Sequence, residues 1–162
     1  DLGGATGHLV MAACRKYPQL SGILFDLPRV AAFAREKIAE AGMLDRVEVA
    51  SGDFFTDPLP RADLYALGRI LHDWSEDKCR LLLKKIAAAL PKGGALLISE
   101  ILLEHDKTGP VAAHMQSLNM LVCTEGRERT AAEYEELLKD AGFREVEHRR
   151  TGQPTDAILA RK

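Results

Sequence analysis

Apolar runs of strand length alternate with segments of helical period along the whole chain, with no internal repeat and no low-complexity tract. Such alternation predicts an α/β domain. After an opening loop, residues 8–17 read as a helix and 21–27 as a strand ending at Asp26; Pro28 suits a helix start, and the helix over 29–41 stops at Gly42. A strand over 46–50 leads into Gly52-Asp53, and another over 63–71 follows the Pro58-Leu59-Pro60 turn. Cys79, Leu82, Leu83, Ile86 and Leu90 recur at helical spacing, which predicts an amphipathic helix over 75–90 with Ser75 as its cap. Residues 94–103 form a nearly continuous apolar run, as in a strand covered on both faces. Helices are predicted over 111–123 and 131–141, the second with Tyr134, Leu137, Leu138 and Ala141 on one face and Gly142 as its stop. Strands over 143–149 and 156–160 follow without a helix between them, so an antiparallel hairpin is expected to close an otherwise parallel sheet with helices on both faces.

Composition narrows the class. With 162 residues, 46% hydrophobic and 28% charged, the chain reads as one soluble domain large enough for its own core. The net charge is -2 and the charges are scattered, which argues against nucleic acid as the main partner. The longest apolar stretch is interrupted by Ser99 and Glu100, so no membrane span is expected. Cys14, Cys79 and Cys123 form an odd set without a C-x-x-C pair, which fits reduced thiols in a cytoplasmic protein better than a disulfide framework or a zinc site. The chain opens on a glycine loop of the kind that follows a strand. The expectation is therefore a domain over 1–162 that is incomplete at its start and lacks the strand before this loop.

In open α/β sheets, ligands sit beyond the C-terminal ends of the strands. Asp1-Leu2-Gly3-Gly4-Ala5-Thr6-Gly7 is placed for this, although glycine loops serve NAD, FAD and S-adenosylmethionine alike and some are only tight turns. Asp26 ends the second strand where an acid can accept from ribose hydroxyls; the competing reading is an acid favoured by the dipole of the next helix. Asp53 could accept from an adenine amino group with Phe54 against the ring, or could be an ordinary turn aspartate. Arg69-Ile70-Leu71-His72-Asp73-Trp74 leaves the next strand on the same rim. A lone histidine there is more often structural, but Glu100 and Glu128 are placed to flank it, and a histidine between carboxylates is oriented and kept basic.

The stretches DLGGATG, FDLP, SGDFFTDPLP, ADLYALGRILHDW, SLNMLVCTEGRERT and DAILARK cover the chain in order. In these the chain resembles the catalytic domain of the S-adenosylmethionine-dependent O-methyltransferases of small hydroxylated aromatics, which include the plant caffeate and flavonoid enzymes, and most of all the branch acting on hydroxyindoles. The resemblance implies a class I methyltransferase sheet of Rossmann-like form, in which the strand before the glycine loop is the first and lies centrally, so that residues 1–162 made alone are expected to fold poorly and transfer nothing. It also implies that Gly3 and its loop contact the methionine end of the cofactor, Asp26 the ribose, and Asp53 and Phe54 the adenine, with Arg69 closing that site. His72 matches the general base, Glu100 and Glu128 the acids that position it, and Asp73 and Asn119 positions near the acceptor. Two departures stand out. Ala5 replaces a glycine of many relatives, and Cys123, a further candidate acceptor contact, replaces the glutamine expected in the hydroxyindole branch, which weakens a polar anchor for the acceptor. Relatives dimerise through an N-terminal helical domain, so a homodimer is implied. The magnesium-dependent catechol enzymes need clustered carboxylate and amide oxygens at the acceptor, which the motifs here do not suggest, so no metal is expected. Two rival readings are a domain that binds S-adenosylmethionine without turnover and an NAD-dependent oxidoreductase; Asp53, the HDW turn and the closing hairpin speak against the second.

Overall fold

The computed structural model describes residues 1–162, which form two compact units, Asp1–Pro60 and Arg61–Lys162.

The first unit contains α1 (His8–Lys16), β1 (Gly22–Asp26), α2 (Pro28–Glu40) and β2 (Val47–Ser51), within a residue or two of the predicted bounds. Pro28 occupies the first turn of α2, where its missing N–H costs nothing. β1 and β2 pair in parallel, with Asp26 opposite Ser51. On the opposite edge of β1 the opening residues run parallel to it: the Phe25 N–H donates to Asp1 O at 2.9 Å and the Gly3 N–H to Phe25 O at 2.8 Å. The core joins Val10, Met11 and Cys14 of α1, Ala31, Ala34 and Ile38 of α2, and Leu24, Val47 and Val49 of the strands. Burying such side chains supplies most of the stabilisation, at roughly 1.5–3 kcal/mol for each large one. A Cβ at Gly22 would lie 2.2 Å from Val10 Cγ2, so glycine is what lets α1 approach β1 this closely.

The second unit contains β3 (Leu64–Gly68), α3 (Glu76–Ala89), β4 (Ala95–Glu100), α4 (Val111–Cys123), α5 (Ala131–Asp140), β5 (Glu145–Arg149) and β6 (Asp156–Arg161). Its sheet has the order β3-β4-β6-β5, with β3 and β4 parallel and β6 antiparallel to both of its neighbours. The closing hairpin forms as expected, and its second strand is the one that joins the parallel pair. α3 buries Cys79, Leu82, Leu83 and Ile86, and α5 buries Tyr134, Leu137 and Leu138. Thr130 and Glu133 cap α5 reciprocally: the Glu133 N–H donates to Thr130 Oγ1 at 3.1 Å, and the Thr130 N–H to Glu133 Oε2 at 2.8 Å. At α3 the cap is weaker than its sequence suggests. Ser75 holds the N-cap position, but its hydroxyl makes no capping bond, and Glu76 and Asp77 in the first turn face the helix dipole instead. β4 stops at Glu100, short of the apolar run; Leu102 and Leu103 are buried beyond it, and the Leu103 N–H donates to Arg129 O at 3.0 Å. The three cysteines are free. No helix is long and apolar enough to cross a membrane.

Candidate active site

Three loops of the first unit leave the same edge of its strands. Gly3 and Gly7 take left-handed backbone at φ 69° and 81°, as does Ala5 at φ 48°, a conformation that costs a side chain about 1–2 kcal/mol. Asp26 closes this loop against β1: Oδ2 accepts from the Ala5 N–H at 2.9 Å and Oδ1 from the Leu27 N–H at 2.7 Å. Each oxygen keeps further lone pairs for hydroxyl donors. Next to it, the Gly52 N–H donates to Asp26 O at 2.9 Å, which sets Asp53 beside the end of β1. Asp53 Oδ1 accepts from the Phe55 N–H and its own N–H donates to Asp57 Oδ2, both at 2.8 Å. Phe54 stands edge-on to Phe55, with ring centroids 4.8 Å apart.

In the second unit β3 and β4 run parallel with Gly68 opposite Ser99, so their C-terminal ends deliver Arg69 and Glu100 as neighbours. Arg69 takes φ 60°, and the chain then forms a 3-10 turn over Leu71–Asp73. Strained backbone of this kind concentrates at functional sites. His72 is buried, and its Nδ1 lies 2.9 Å from Glu128 Oε1. With the carboxylate as acceptor, the ring hydrogen sits on Nδ1 and the lone pair on Nε2, which lies 3.5 Å from Asp73 Oδ1.

The two acids do different work. Glu128 touches the ring, whereas Glu100 Oε1 accepts from the backbone N–H groups of Ile70 and Leu71 at 3.0 Å and of His72 at 3.4 Å. Glu100 thus holds the turn rather than the imidazole. Burial pushes the Glu100 carboxyl up to about 7, the charge of Glu128 adding to it and those of His72 and Arg69 opposing it. For His72, burial alone would lower the pKa, but the Glu128 hydrogen bond and the Glu100 charge outweigh it and leave the ring more basic than an ordinary histidine.

The loop after α4 places Glu128. Its N–H donates to Ser117 Oγ at 2.9 Å, and Arg69 Nη1 approaches Oε1 at 3.4 Å. Gly126 brings the loop against the turn: a Cβ there would lie 2.1 Å from His72 O and 2.6 Å from Trp74 N. Arg129, which the sequence did not single out, is buried here and reaches the turn's carbonyls. A glycine amid charged residues was the one available signal that this loop packs closely. Asn119 and Cys123 lie one turn apart on α4, exposed, with Cys123 Sγ 3.6 Å from Asn119 Oδ1. His72, Glu100 and Glu128 offer ligand-type atoms within 4.8 Å of one another, but the bonded atoms already serve the ring and the backbone, beside the Arg69 guanidinium. Glu100 Oε2, Glu128 Oε2, Arg129 Nε and the Tyr134 hydroxyl are buried without a hydrogen-bond partner, and the first three belong to residues that hold the His72 turn or its ring.

An oriented histidine beside strand-end acids is how a proton acceptor is built. Residues 1–144 match the O-methyltransferase domain family, and the chain belongs to it. It is 49% identical over 162 residues to the acetylserotonin O-methyltransferase of Gallus gallus, covering all of this chain and 46% of that protein. It is 50% identical over 155 residues to the 3-hydroxy-5-methyl-1-naphthoate 3-O-methyltransferase of Streptomyces sahachiroi, covering 95% of this chain and 45% of that one. The crystal structure of human N-acetylserotonin methyltransferase in complex with SAM superposes with a TM-score of 0.95 at 45% identity, over 100% of this chain and 46% of that one. The chain thus spans about half the length of the curated relatives it matches.

Proposed function

We propose that this protein transfers a methyl group from S-adenosylmethionine to the hydroxyl of a small aromatic acceptor, with His72 as general base. The observation that carries the reading is the buried 2.9 Å contact between His72 Nδ1 and Glu128 Oε1, which leaves Nε2 as the acceptor. A phenol of pKa about 10 is almost wholly protonated at pH 7 and is a poor nucleophile. Nε2 takes its proton as transfer proceeds, Glu128 and Asp73 favour the imidazolium that forms, and base assistance of this kind is typically worth about 10²–10⁴-fold. The residues of the first unit fit the methyl donor: left-handed glycines bring backbone N–H groups to the strand ends, and Asp26, fixed by two N–H donors, is ready for a ribose diol. When bound, S-adenosylmethionine supplies a methyl already activated on a sulfonium, so the proposal includes no metal.

The acceptor proposed first is N-acetylserotonin, with melatonin as the product, supported by the identity to the acetylserotonin enzymes. Cys123, together with equal identity to a naphthoate enzyme, supports a second reading with another phenol as acceptor. A homodimer, implied by the family resemblance, and a cytoplasmic location, suggested by the three thiols, belong to the same proposal. The test is full-length protein with methyl-labelled S-adenosylmethionine against N-acetylserotonin, other hydroxyindoles, naphthols and plain phenols. Fastest transfer to N-acetylserotonin supports the first reading, and fastest transfer to a naphthol or phenol the second. Tight binding of S-adenosylmethionine without transfer to any acceptor overturns both.

A further inference from the structure

Resting on the reading of His72 as the base, we propose that Arg129 is a positioning residue: its guanidinium clamps the carbonyl side of the His72 turn while Glu100 clamps the N–H side, and this fixes the direction in which the ring presents Nε2.

A turn of three residues, Leu71–Asp73, has too few internal bonds to hold its own shape. Glu100 Oε1 takes the N–H groups of Ile70, Leu71 and His72, while the Asp73 N–H donates to Ile70 O at 3.1 Å. On the other side, Arg129 Nη1 donates to Leu71 O at 2.9 Å and Nη2 to Trp74 O at 3.0 Å, so one planar group spans the two carbonyls that bracket His72 and Asp73. A guanidinium presents its donors in a fixed fork, and two bonds from it set a spacing as well as an attraction. Nη1 also donates to Arg127 O at 3.2 Å, and the group lies 5.9 Å from the Tyr134 ring centroid.

Burial gives the arrangement its weight. Arg129 is 2% exposed, and its hydrogen-bond partners are carbonyl oxygens throughout. Burying a guanidinium without a carboxylate partner is costly, and packing alone would be served by an apolar side chain. The main chain of Arg129 is anchored as well, its carbonyl accepting from the Leu103 N–H at 3.0 Å. Consecutive residues of one loop therefore grip the two parts of one residue's setting: Glu128 holds the ring and Arg129 holds the backbone that carries it. The other groups around the ring, Glu100, Arg69 and Asp73, come from β4, the end of β3 and the turn itself.

The test uses full-length protein carrying Arg129→Met and Arg129→Lys, with three readings: kcat against KM for S-adenosylmethionine, S-adenosylmethionine affinity, and the titration of the His72 imidazole by nitrogen NMR without acceptor. The expected result for Arg129→Met is a loss of roughly 10–100-fold in kcat, as for a misplaced reacting group, with the KM for S-adenosylmethionine within about twofold of wild type. The His72 titration should move down toward the ordinary histidine value, because the ring loses its fixed approach to Glu128. Arg129→Lys, which keeps the charge and reaches one carbonyl, should fall between. Folded variants with wild-type kcat and an unmoved His72 titration would overturn the proposal. So would parallel losses of kcat and S-adenosylmethionine affinity with His72 titrating as in wild type, the pattern of a merely structural residue. If Arg129→Met does not fold, Arg129→Lys decides by the same criteria. If wild-type protein methylates no acceptor, the proposed function fails, and the NMR titration still decides whether Arg129 positions the ring.

Discussion

Replacing Glu128 by glutamine keeps an oxygen for the His72 Nδ1–H and removes the charge, which separates orientation from electrostatics. Glu128 is fully buried and its bond to the ring is 2.9 Å, so solvent screens the pair little. A hydrogen bond to a charged group is worth about 1.5–3 kcal/mol and a neutral one about 0.5–1.5. The difference, about 1–1.5 kcal/mol, falls mainly on the imidazolium formed as Nε2 accepts the proton, because the neutral ring is bonded almost as well by an amide. By transition-state arithmetic this is roughly a 5–10-fold loss in kcat. Arg69 loses a partner 3.4 Å away but is 31% exposed, so its contribution is small. The assay is initial-rate methyl transfer with saturating S-adenosylmethionine, alongside NMR titration of the His72 ring. The Glu128→Gln ring should titrate at lower pH than wild type, since its main stabilising partner is gone. An unchanged kcat together with an unchanged titration would refute the role given to Glu128.

Glu100→Gln should flatten the dependence of stability on pH. With a folded pKa of about 7 against an ordinary 4.5, the native state holds more protons than the unfolded one across that window, so wild-type stability falls as pH rises through it, by on the order of 3 kcal/mol at full extent. Urea unfolding at pH 5 and pH 8 reads this; an equal slope in wild type and variant would count against it. His72, whose pKa is raised, adds a smaller loss in the same direction as pH rises above about 6.5. Asp26→Ala should weaken S-adenosylmethionine binding first, read by calorimetry; wild-type affinity would reject the ribose role. Ala5→Gly should stabilise the protein by about 0.5–1 kcal/mol, relieving left-handed backbone at φ 48° net of the entropy glycine adds to the unfolded chain, and a lower urea midpoint would contradict it.

Much of the fold was legible because the apolar period and the turn residues agree. α4 forms over 111–123 as its pattern predicts, and Pro28 and Gly42 bracket α2 within a residue or two. The misses lie where long-range contacts override local pattern. The run over 94–103 reads as one strand, yet β4 ends at Glu100, whose carboxylate turns to the backbone of a segment some thirty residues earlier. His72 and Glu128 were findable by residue type and loop position, whereas the division of labour between Glu100 and Glu128 was not, because the period of a strand does not say whether its last acid meets a ring or a main chain. Arg129 was hidden for a related reason. In a run of charged residues, Glu125 to Arg129, an arginine reads as solvated, and only the fold shows that it is buried against carbonyls. Ser75 shows the converse, since the sequence places a cap residue correctly while its hydroxyl makes no capping bond.

If His72 takes the acceptor's proton, His72→Ala in full-length protein should lose methyl transfer and still bind the methyl donor. Single-turnover methyl transfer and S-adenosylmethionine affinity are measured on the same preparation. The expected result is a loss of at least about 10²-fold in transfer with affinity for S-adenosylmethionine unchanged. Transfer at the wild-type rate would show that His72 is not the base.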